Sequence, residues 1–125
     1  MTTPKILVAD DEPNIVISLE YLLKREGYAV RVARDGQEAW EAIQADKPDL
    51  VLLDVMMPKK SGFEVCQALR AEASLQDVKV LMLTAKGRDT DVAKGMALGA
   101  NAYMTKPFST RELVTRVAQL LGLSA

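Results

Sequence analysis

The sequence predicts an α/β protein built on a doubly wound, five-stranded parallel sheet. Five short apolar segments recur along the 125 residues, and stretches with the apolar spacing of amphipathic helices lie between them. Strands that alternate with helices require parallel pairing and right-handed crossovers, which place helices on both faces of an open sheet. We therefore expect one domain over residues 1–125, with its functional crevice at the carboxyl ends of the strands.

Each strand is predicted from an apolar run bounded by polar or turn-forming residues. The expected strands are residues 5–10, 28–33, 49–54, 78–84 and 101–106. The third run, DLVLLD, has four consecutive apolar residues and reads as a strand covered on both faces. A charge at its tip, Asp54, is costly to bury unless it has a use.

The helices are predicted from apolar spacing and from their caps. Apolar residues three and four apart indicate helices around 15–23, 39–43 and 63–69, and a less apolar helix is expected over 90–98. Capping-box patterns mark helix starts at Asp35–Glu38, Ser61–Glu64 and Ser109–Glu112. Three glycines suit helix ends: Gly27, Gly99 and Gly122.

The composition excludes several classes of function. Net charge is −1, from 16 basic and 17 acidic residues, so no general electrostatic attraction to nucleic acid or an anionic membrane is expected. The chain has no histidine and a single cysteine, Cys66, which disfavours zinc sites and histidine-based catalysis. No segment is long and apolar enough for a signal peptide or a membrane span, so we expect a cytoplasmic protein.

Polar side chains end four of the five predicted strands. Asp10 and Asp11 follow strand 1, Asp54 ends strand 3, and strands 4 and 5 end at Thr84 and Lys106. If strands 1 and 3 are neighbours, about 4.8 Å apart, three carboxylates converge and repel one another unless a divalent cation joins them. Hard oxygen ligands favour Mg²⁺, which also takes phosphate oxygens. Lys106 and Thr84 suit a transferring phosphoryl group, and Asp54 is then a candidate nucleophile.

These residues resemble the receiver domain of two-component response regulators. The resemblance covers essentially the whole chain and rests on four motifs in order: the acid pair of VADDE, the D-x-x-x-P of DVMMP followed by Gly62, the LTA at 83–85 and the TKPF at 105–108. No single motif would suffice, but together they are specific. The resemblance, which is to single-domain chemotaxis-type receivers, implies a flavodoxin-like (βα)5 fold with strand order 2-1-3-4-5.

The resemblance implies a role for each residue of the acidic site. Asp54 would accept a phosphoryl group from a sensor histidine kinase or a histidine phosphotransfer protein. Mg²⁺ would be held by Asp10, Asp11, Asp54 and the backbone carbonyl of Met56, and Lys106 would pair with the phosphoryl group. The only catalysis expected is Mg²⁺-dependent self-phosphorylation and self-dephosphorylation, so the protein would be a switch rather than an enzyme.

The resemblance also implies how phosphorylation would be reported. The Thr84 hydroxyl would turn toward the phosphoryl group and Tyr103 would rotate inward behind it, changing the surface of helix 4, strand 5 and helix 5. The Lys106–Pro107 peptide bond is expected to be cis.

Met56 carries two further expectations. A phosphohydrolase of the haloacid dehalogenase type would also form an aspartyl phosphate, but it needs a second Asp two residues after the first, where this chain has Met56. In receivers this position lies near the path of the attacking water, which an apolar side chain cannot orient. With Lys86 two places after Thr84, we predict slow self-dephosphorylation.

Simpler roles for some of these residues stay open. Asp10 and Asp11 could be an N-cap pair for the first helix, where acids are favoured. Lys106 could be an ordinary solvated lysine, as most lysines are. Cys66 shares an apolar stripe with Phe63, and we expect it to be a core residue.

The output of the switch has two candidate forms. A chain that starts with Met and stops at Ala125, directly after the fifth helix, favours a stand-alone receiver that acts by protein contact, as a monomer or a weak phosphorylation-dependent dimer. The alternative is the receiver of a DNA-binding transcriptional regulator that dimerises through charged pairs on helix 4, strand 5 and helix 5. Two residues fit those pairs, Glu112 and Arg116, whereas three uncharged residues occupy places where charges would be expected: Val92, Asn101 and Ala102.

Overall fold

Strands and helices alternate in the computed structural model, which describes residues 3–85 and 87–123. The strands are β1 (Lys5–Ala9), β2 (Ala29–Ala33), β3 (Leu50–Asp54), β4 (Lys79–Ala85) and β5 (Ala102–Lys106). The helices are α1 (Pro13–Arg25), α2 (Gly36–Ala45), α3 (Gly62–Ala71), α4 (Asp89–Ala97) and α5 (Thr110–Leu120). A short 3₁₀ turn at Ala73–Leu75, which the sequence did not predict, lies between α3 and β4.

The sheet confirms the predicted fold class. All neighbouring strands are parallel and their order is β2-β1-β3-β4-β5. The order in which successive strands are added to the sheet reverses between β1 and β3. The carboxyl ends of these two strands therefore flank the crevice in which parallel sheets of this type have their functional site. The pairing places Asp54 opposite Leu83 and Thr84 opposite Thr105.

Alternation along the strands produces two cores, one on each face of the sheet. Under α2 and α3 the buried residues include Leu7, Val51, Leu53, Val80, Ile43, Val65, Cys66 and Leu69. Under α1 and α5 they include Ile6, Val8, Leu50, Leu52, Leu81, Leu19, Leu23, Leu113 and Val117. Cys66 is fully buried, which confirms its prediction as a core residue.

The predicted helix starts are supported by their hydrogen bonds. The Ser61 box is complete, since the Ser61 hydroxyl accepts from the Glu64 N–H and the Glu64 carboxylate accepts from the Ser61 N–H, both at 3.2 Å. Asp35 Oδ1 accepts from the Glu38 N–H at 2.7 Å and Ser109 Oγ from the Glu112 N–H at 3.2 Å. These caps fix where α2, α3 and α5 begin.

Two expectations about element ends are wrong. Each strand differs from its predicted limits by one residue at one end, or at both ends for β4. The point where a strand ends depends on where its neighbour stops pairing; Asp10, for example, lies just beyond β1. The N-cap of α1 is Glu12, which makes no side-chain cap bond. Asp10 and Asp11 are therefore not an N-cap pair, and Asp10 Oδ1 instead accepts from the Glu12 N–H at 2.9 Å.

The β3–α3 loop packs directly on the start of α2. The Gly36 N–H donates to the Pro58 carbonyl at 3.2 Å, and a Cβ at Gly36 would lie only 1.8 Å from the Lys60 carbonyl oxygen. The loop that follows Asp54 is thus held by backbone contact that only glycine permits. Within residues 3–85 and 87–123, no helix is long and apolar enough to cross a membrane.

Candidate functional site

Three carboxylates meet at the carboxyl ends of β1 and β3. One oxygen from each of Asp10, Asp11 and Asp54 lies within 4.8 Å of the other two. Direct pairing of β1 with β3 causes this convergence, as the sequence predicted from neighbouring strands. Asp10 is fully buried and Asp54 is 6% exposed, whereas Asp11 faces solvent. The site therefore joins two buried acids to one that an ion can reach from water.

Lys106 lies across the sheet from these acids and contacts two of them. Its Nζ is 2.7 Å from Asp10 Oδ2 and 3.4 Å from Asp54 Oδ1, and it also reaches Glu12 Oε1 at 3.3 Å. Only 16% of the Lys106 side chain is exposed. The alternative of an ordinary solvated lysine is therefore wrong, because the end of β5 points this ammonium group into the acidic cluster.

The pKa of the Asp54 carboxyl is raised to about 7. Burial is the largest cause, and the neighbouring Asp10 carboxylate adds to it, while Lys106 opposes both. Burial alone would lower the pKa of Lys106, but the hydrogen bond to Asp10 and the charges of Asp54 and Asp10 outweigh it and raise the pKa. The positive charge of Lys106 alone thus does not balance the negative charge of the carboxylates at this site.

A cavity of about 290 Å³ opens above the carboxylates. Asp11, Asp54 and Lys106 line it, and so does Met56, whose side chain is 63% exposed. Lys86, which the sequence linked with Met56 in the expectation of slow dephosphorylation, lies outside the described residues. The cavity gives the Asp54 carboxylate an open approach from solvent.

The remaining predicted residues lie in β4, in β5 and directly after β5. Thr84 is 1% exposed, and its Oγ1 is a buried polar atom without a hydrogen-bond partner among the described residues. Tyr103 is 43% exposed, so its ring lies outward in this structure. The Lys106–Pro107 peptide bond is cis.

The donor set fits Mg²⁺. It consists of carboxylate oxygens without nitrogen or sulfur, which is the ligand chemistry that Mg²⁺ prefers. Burial and the Asp10 carboxylate raise the pKa of Asp54, and added positive charge would favour its ionised form. An ion near Asp11 and Asp54 would supply that charge.

A model of the response regulator receiver domain matches residues 6–118. The chain belongs to the response regulator receiver domain family. This match confirms the predicted resemblance to the receiver domain of two-component response regulators. It also favours a receiver over the phosphohydrolase alternative.

Relatives agree with this receiver assignment. The alkaline phosphatase synthesis transcriptional regulatory protein PhoP of Bacillus subtilis (strain 168) is 51% identical over 120 residues, which are 96% of this chain and 49% of that protein. The receiver thus spans about half the length of this relative.

Solved structures have the same receiver fold. The chemotaxis response regulator CheY4 of Vibrio cholerae superposes with a TM-score of 0.89 at 32% identity, over 95% of this chain and 99% of that one. The receiver domain of the sensor histidine kinase PA1611 from Pseudomonas aeruginosa PAO1, with a magnesium ion coordinated in its active site cleft, has a TM-score of 0.88 at 27% identity and covers 97% of this chain and 99% of that one.

Sequence reasoning missed three residues that line the receiver's cavity. Glu12 reaches Lys106, and Arg88 and Asp91 form an ion pair in the segment that starts α4. Glu12 directly follows the acid pair, which was an available signal. No comparable signal marked Arg88 and Asp91 in the sequence, because single charged residues after a strand are usually solvated.

Proposed function

We propose that Asp54 is the phospho-acceptor of a two-component switch and that Mg²⁺ is held by Asp10, Asp11, Asp54 and the Met56 backbone carbonyl. The observation that carries the proposal is the position of Asp54: a buried carboxylate at the end of β3, with two acids within 4.8 Å and the Lys106 ammonium at 3.4 Å. A nucleophile, a cation site and a fixed positive charge meet beside one open cavity.

The chemistry is an in-line displacement at phosphorus. An Asp54 carboxylate oxygen attacks the phosphoryl group of a phosphohistidine, the P–N bond breaks, and its electron pair leaves with the imidazole, which then takes a proton. Lys106 stabilises the charge on the phosphoryl oxygens, and Asp10 holds Lys106 in place through the 2.7 Å bond. When bound, Mg²⁺ supplies the further positive charge that this transfer needs.

Thr84 and Tyr103 are the proposed switch residues. The Thr84 hydroxyl is buried without a partner among residues 3–85 and 87–123, a costly state that a hydrogen bond to a phosphoryl oxygen would relieve. Tyr103 lies in β5 opposite Met82, two residues before Thr84 on β4. A shift of Thr84 toward the phosphoryl group would leave room for the ring to move inward, which changes the α4–β5–α5 surface.

The proposed phosphoryl donors are a sensor histidine kinase or a histidine phosphotransfer protein, and the downstream target is a protein bound by the α4–β5–α5 surface. No direct nucleic-acid or membrane contact is assigned to this chain, in keeping with its net charge of −1. We retain the cytoplasmic location, and self-phosphorylation and self-dephosphorylation are the only catalysis assigned.

Intact-mass measurement after incubation with Mg²⁺ and acetyl phosphate tests the proposal. The native chain should gain one phosphoryl group, and the gain should be lost with EDTA and in Asp54→Asn. Asp49→Asn, a change of the same kind near the opposite ends of the strands, is the matched control and should leave the gain intact. An adduct that persists in Asp54→Asn would contradict the assignment of the acceptor.

A second form of output is favoured by one finding. The 51% identity to a transcriptional regulator supports the alternative in which this receiver controls a DNA-binding protein. In that case phosphorylation of Asp54 would promote dimerisation through the α4–β5–α5 surface, which size measurements with a phosphoryl mimic can detect.

A further inference from the structure

Arg88 shares the cavity with Asp54. It immediately precedes α4, and it lines the same space of about 290 Å³ as Asp54 and Lys106. The Arg88 Nε lies 2.9 Å from Asp91 Oδ2, with the Arg88 side chain half exposed and that of Asp91 14% exposed. An arginine of the cavity wall is thus paired with a carboxylate of its own helix start.

The pair with Asp91 leaves most of the guanidinium available. Arginine offers five N–H donors in a planar fork, and this contact uses Nε. In the part of the chain that the structure describes, Asp91 is the one ion-pair partner of Arg88. A phosphoryl group carries more negative charge than a carboxylate and accepts bidentate arginine contacts, so it would compete well with Asp91 for Arg88.

We propose that Arg88 is a phosphoryl-binding residue. It pairs with Asp91 in the unphosphorylated chain and contacts the phosphoryl group when Asp54 carries one. This inference rests on the proposed function of Asp54 and adds a second basic group to the site besides Lys106. Lys106 contacts the buried acids directly, whereas Arg88 stands on the part of the wall formed by the start of α4.

The exchange of partners would act on α4 itself. The Arg88 carbonyl accepts from the Asp91 N–H at 3.0 Å and from the Val92 N–H at 3.2 Å, so Arg88 begins the hydrogen bonding of the helix. Movement of its side chain toward Asp54 would release the Asp91 carboxylate and change how the first turn is held. The α4 end of the proposed output surface would then respond to phosphorylation through Arg88 as well as through Thr84.

The test measures the affinity for beryllofluoride, an anion that mimics a phosphoryl group on a carboxylate, at saturating Mg²⁺ by ¹⁹F NMR titration. The variants are Arg88→Gln, Asp91→Asn and the double variant. Arg25→Gln, at an exposed arginine in the last turn of α1 that has no ion-pair partner among the described residues, is the matched control. Acetyl phosphate labelling of the native chain, followed by intact mass, is run in parallel.

Arg88→Gln should weaken beryllofluoride binding by about three- to tenfold, as expected for the loss of one charge-assisted contact that is partly exposed. Asp91→Asn should strengthen it by about twofold or more, because the competitor for Arg88 is removed. In the Arg88→Gln background the Asp91→Asn change should have no effect. Arg25→Gln should bind as the native chain does.

Three results would overturn the inference. Unchanged affinity in Arg88→Gln shows that the guanidinium does not contact the anion. Weakening by both single variants shows that the ion pair only supports the fold, and an Asp91→Asn gain that persists without Arg88 shows a through-space charge effect. Absence of any adduct on the native chain would instead overturn the proposed function, and this inference with it.

Discussion

At the residue scale, the charge state of Asp54 links the site to the stability of the fold. Its pKa is about 7 in the folded chain and near its ordinary value of 3.8 when the chain unfolds. The folded state therefore binds more protons between these values, so stability falls as the pH rises from about 4 to 7, and the cost of the ionised carboxylate is complete above pH 7. The proposed cation site is therefore destabilising when no cation is bound.

Asp54→Asn should therefore raise the free energy of unfolding in EDTA at pH 8, by roughly 1 to 3 kcal/mol. The gain should shrink as the pH falls toward 4, where the native carboxyl is protonated. Urea unfolding at several pH values, with and without EDTA, measures this, and saturating Mg²⁺ should reduce the gain at pH 8. A native chain as stable as the variant at pH 8 in EDTA would be inconsistent with a carboxylate that is costly to ionise.

We expect Met56 to affect a second property of the site, the lifetime of the phosphoryl group. Its side chain is exposed at the cavity and offers no donor or strong acceptor to an attacking water. Met56→Asn should shorten the phosphoryl half-life by about three- to tenfold, the effect of one oriented hydrogen bond. Loss of the phosphoryl mass after donor removal gives the rate, with Met96→Asn, an exposed methionine in α4, as control. A native half-life of only seconds would contradict slow dephosphorylation.

At the element scale, the loop after β3 is held against α2 by close backbone contact. A Cβ at Gly36 would meet the Lys60 carbonyl oxygen at 1.8 Å, and one at Gly62 would meet the Asp54 carbonyl oxygen at 2.3 Å. Two glycines thus permit the chain that follows Asp54 to fold back on itself and on α2. The geometry of the site depends on packing that involves no catalytic side chain.

Gly36→Ala should lower the free energy of unfolding by about 2 kcal/mol or more, because the loop or the helix start must move to admit the methyl group. Gly95→Ala is the matched control: its Cβ would lie 3.5 Å from Met82, an ordinary contact, inside α4. That variant should be stabilised by about 0.5 to 1 kcal/mol through helix propensity. Thermal or urea unfolding of both variants tests the pair, and equal effects in the two would refute the close approach at Gly36.

At the scale of the whole molecule, two residues at positions where charged pairs would join two copies instead serve the fold of one copy. Asn101 Oδ1 accepts from Arg70 Nη2 and from the Val80 N–H, both at 2.8 Å, and Ala102 is 8% exposed. The Arg70 guanidinium also donates to the Gly99 carbonyl at 3.0 Å, which ties α3 to the start of β5. These contacts occupy Asn101 within one copy, and neither Asn101 nor Ala102 supplies a charge for a partner.

We therefore expect the chain to remain monomeric when a phosphoryl mimic is bound. Gel filtration with light scattering, with and without Mg²⁺ and beryllofluoride, measures this, and Asp54→Asn serves as the control that cannot respond. A native chain that dimerises only with the mimic would support the transcriptional-regulator form of output. It would contradict the expectation that the chain stays monomeric.

The sequence alone determined the sheet, its strand count and most of the acidic site. Apolar runs and helical spacing follow from the burial of one or both faces of each strand or helix. This pattern is visible in the local order of the residues. The meeting of Asp10, Asp11, Asp54 and Lys106 followed because the carboxyl ends of parallel strands share one edge. One-residue errors at the strand ends arose because the extent of pairing is set by the neighbouring strand.

Only the tertiary structure decided how the charges in the site are shared. It showed that Lys106 is paired with Asp10 and Asp54, that Thr84 Oγ1 is buried without a partner among the described residues, and that the Arg88–Asp91 pair forms part of the cavity wall. It also showed that the β3–α3 loop packs closely against Gly36. The physical reason is the same in each case: desolvation, pairing and close contact depend on groups that are distant in sequence, and spacing along the chain does not encode them.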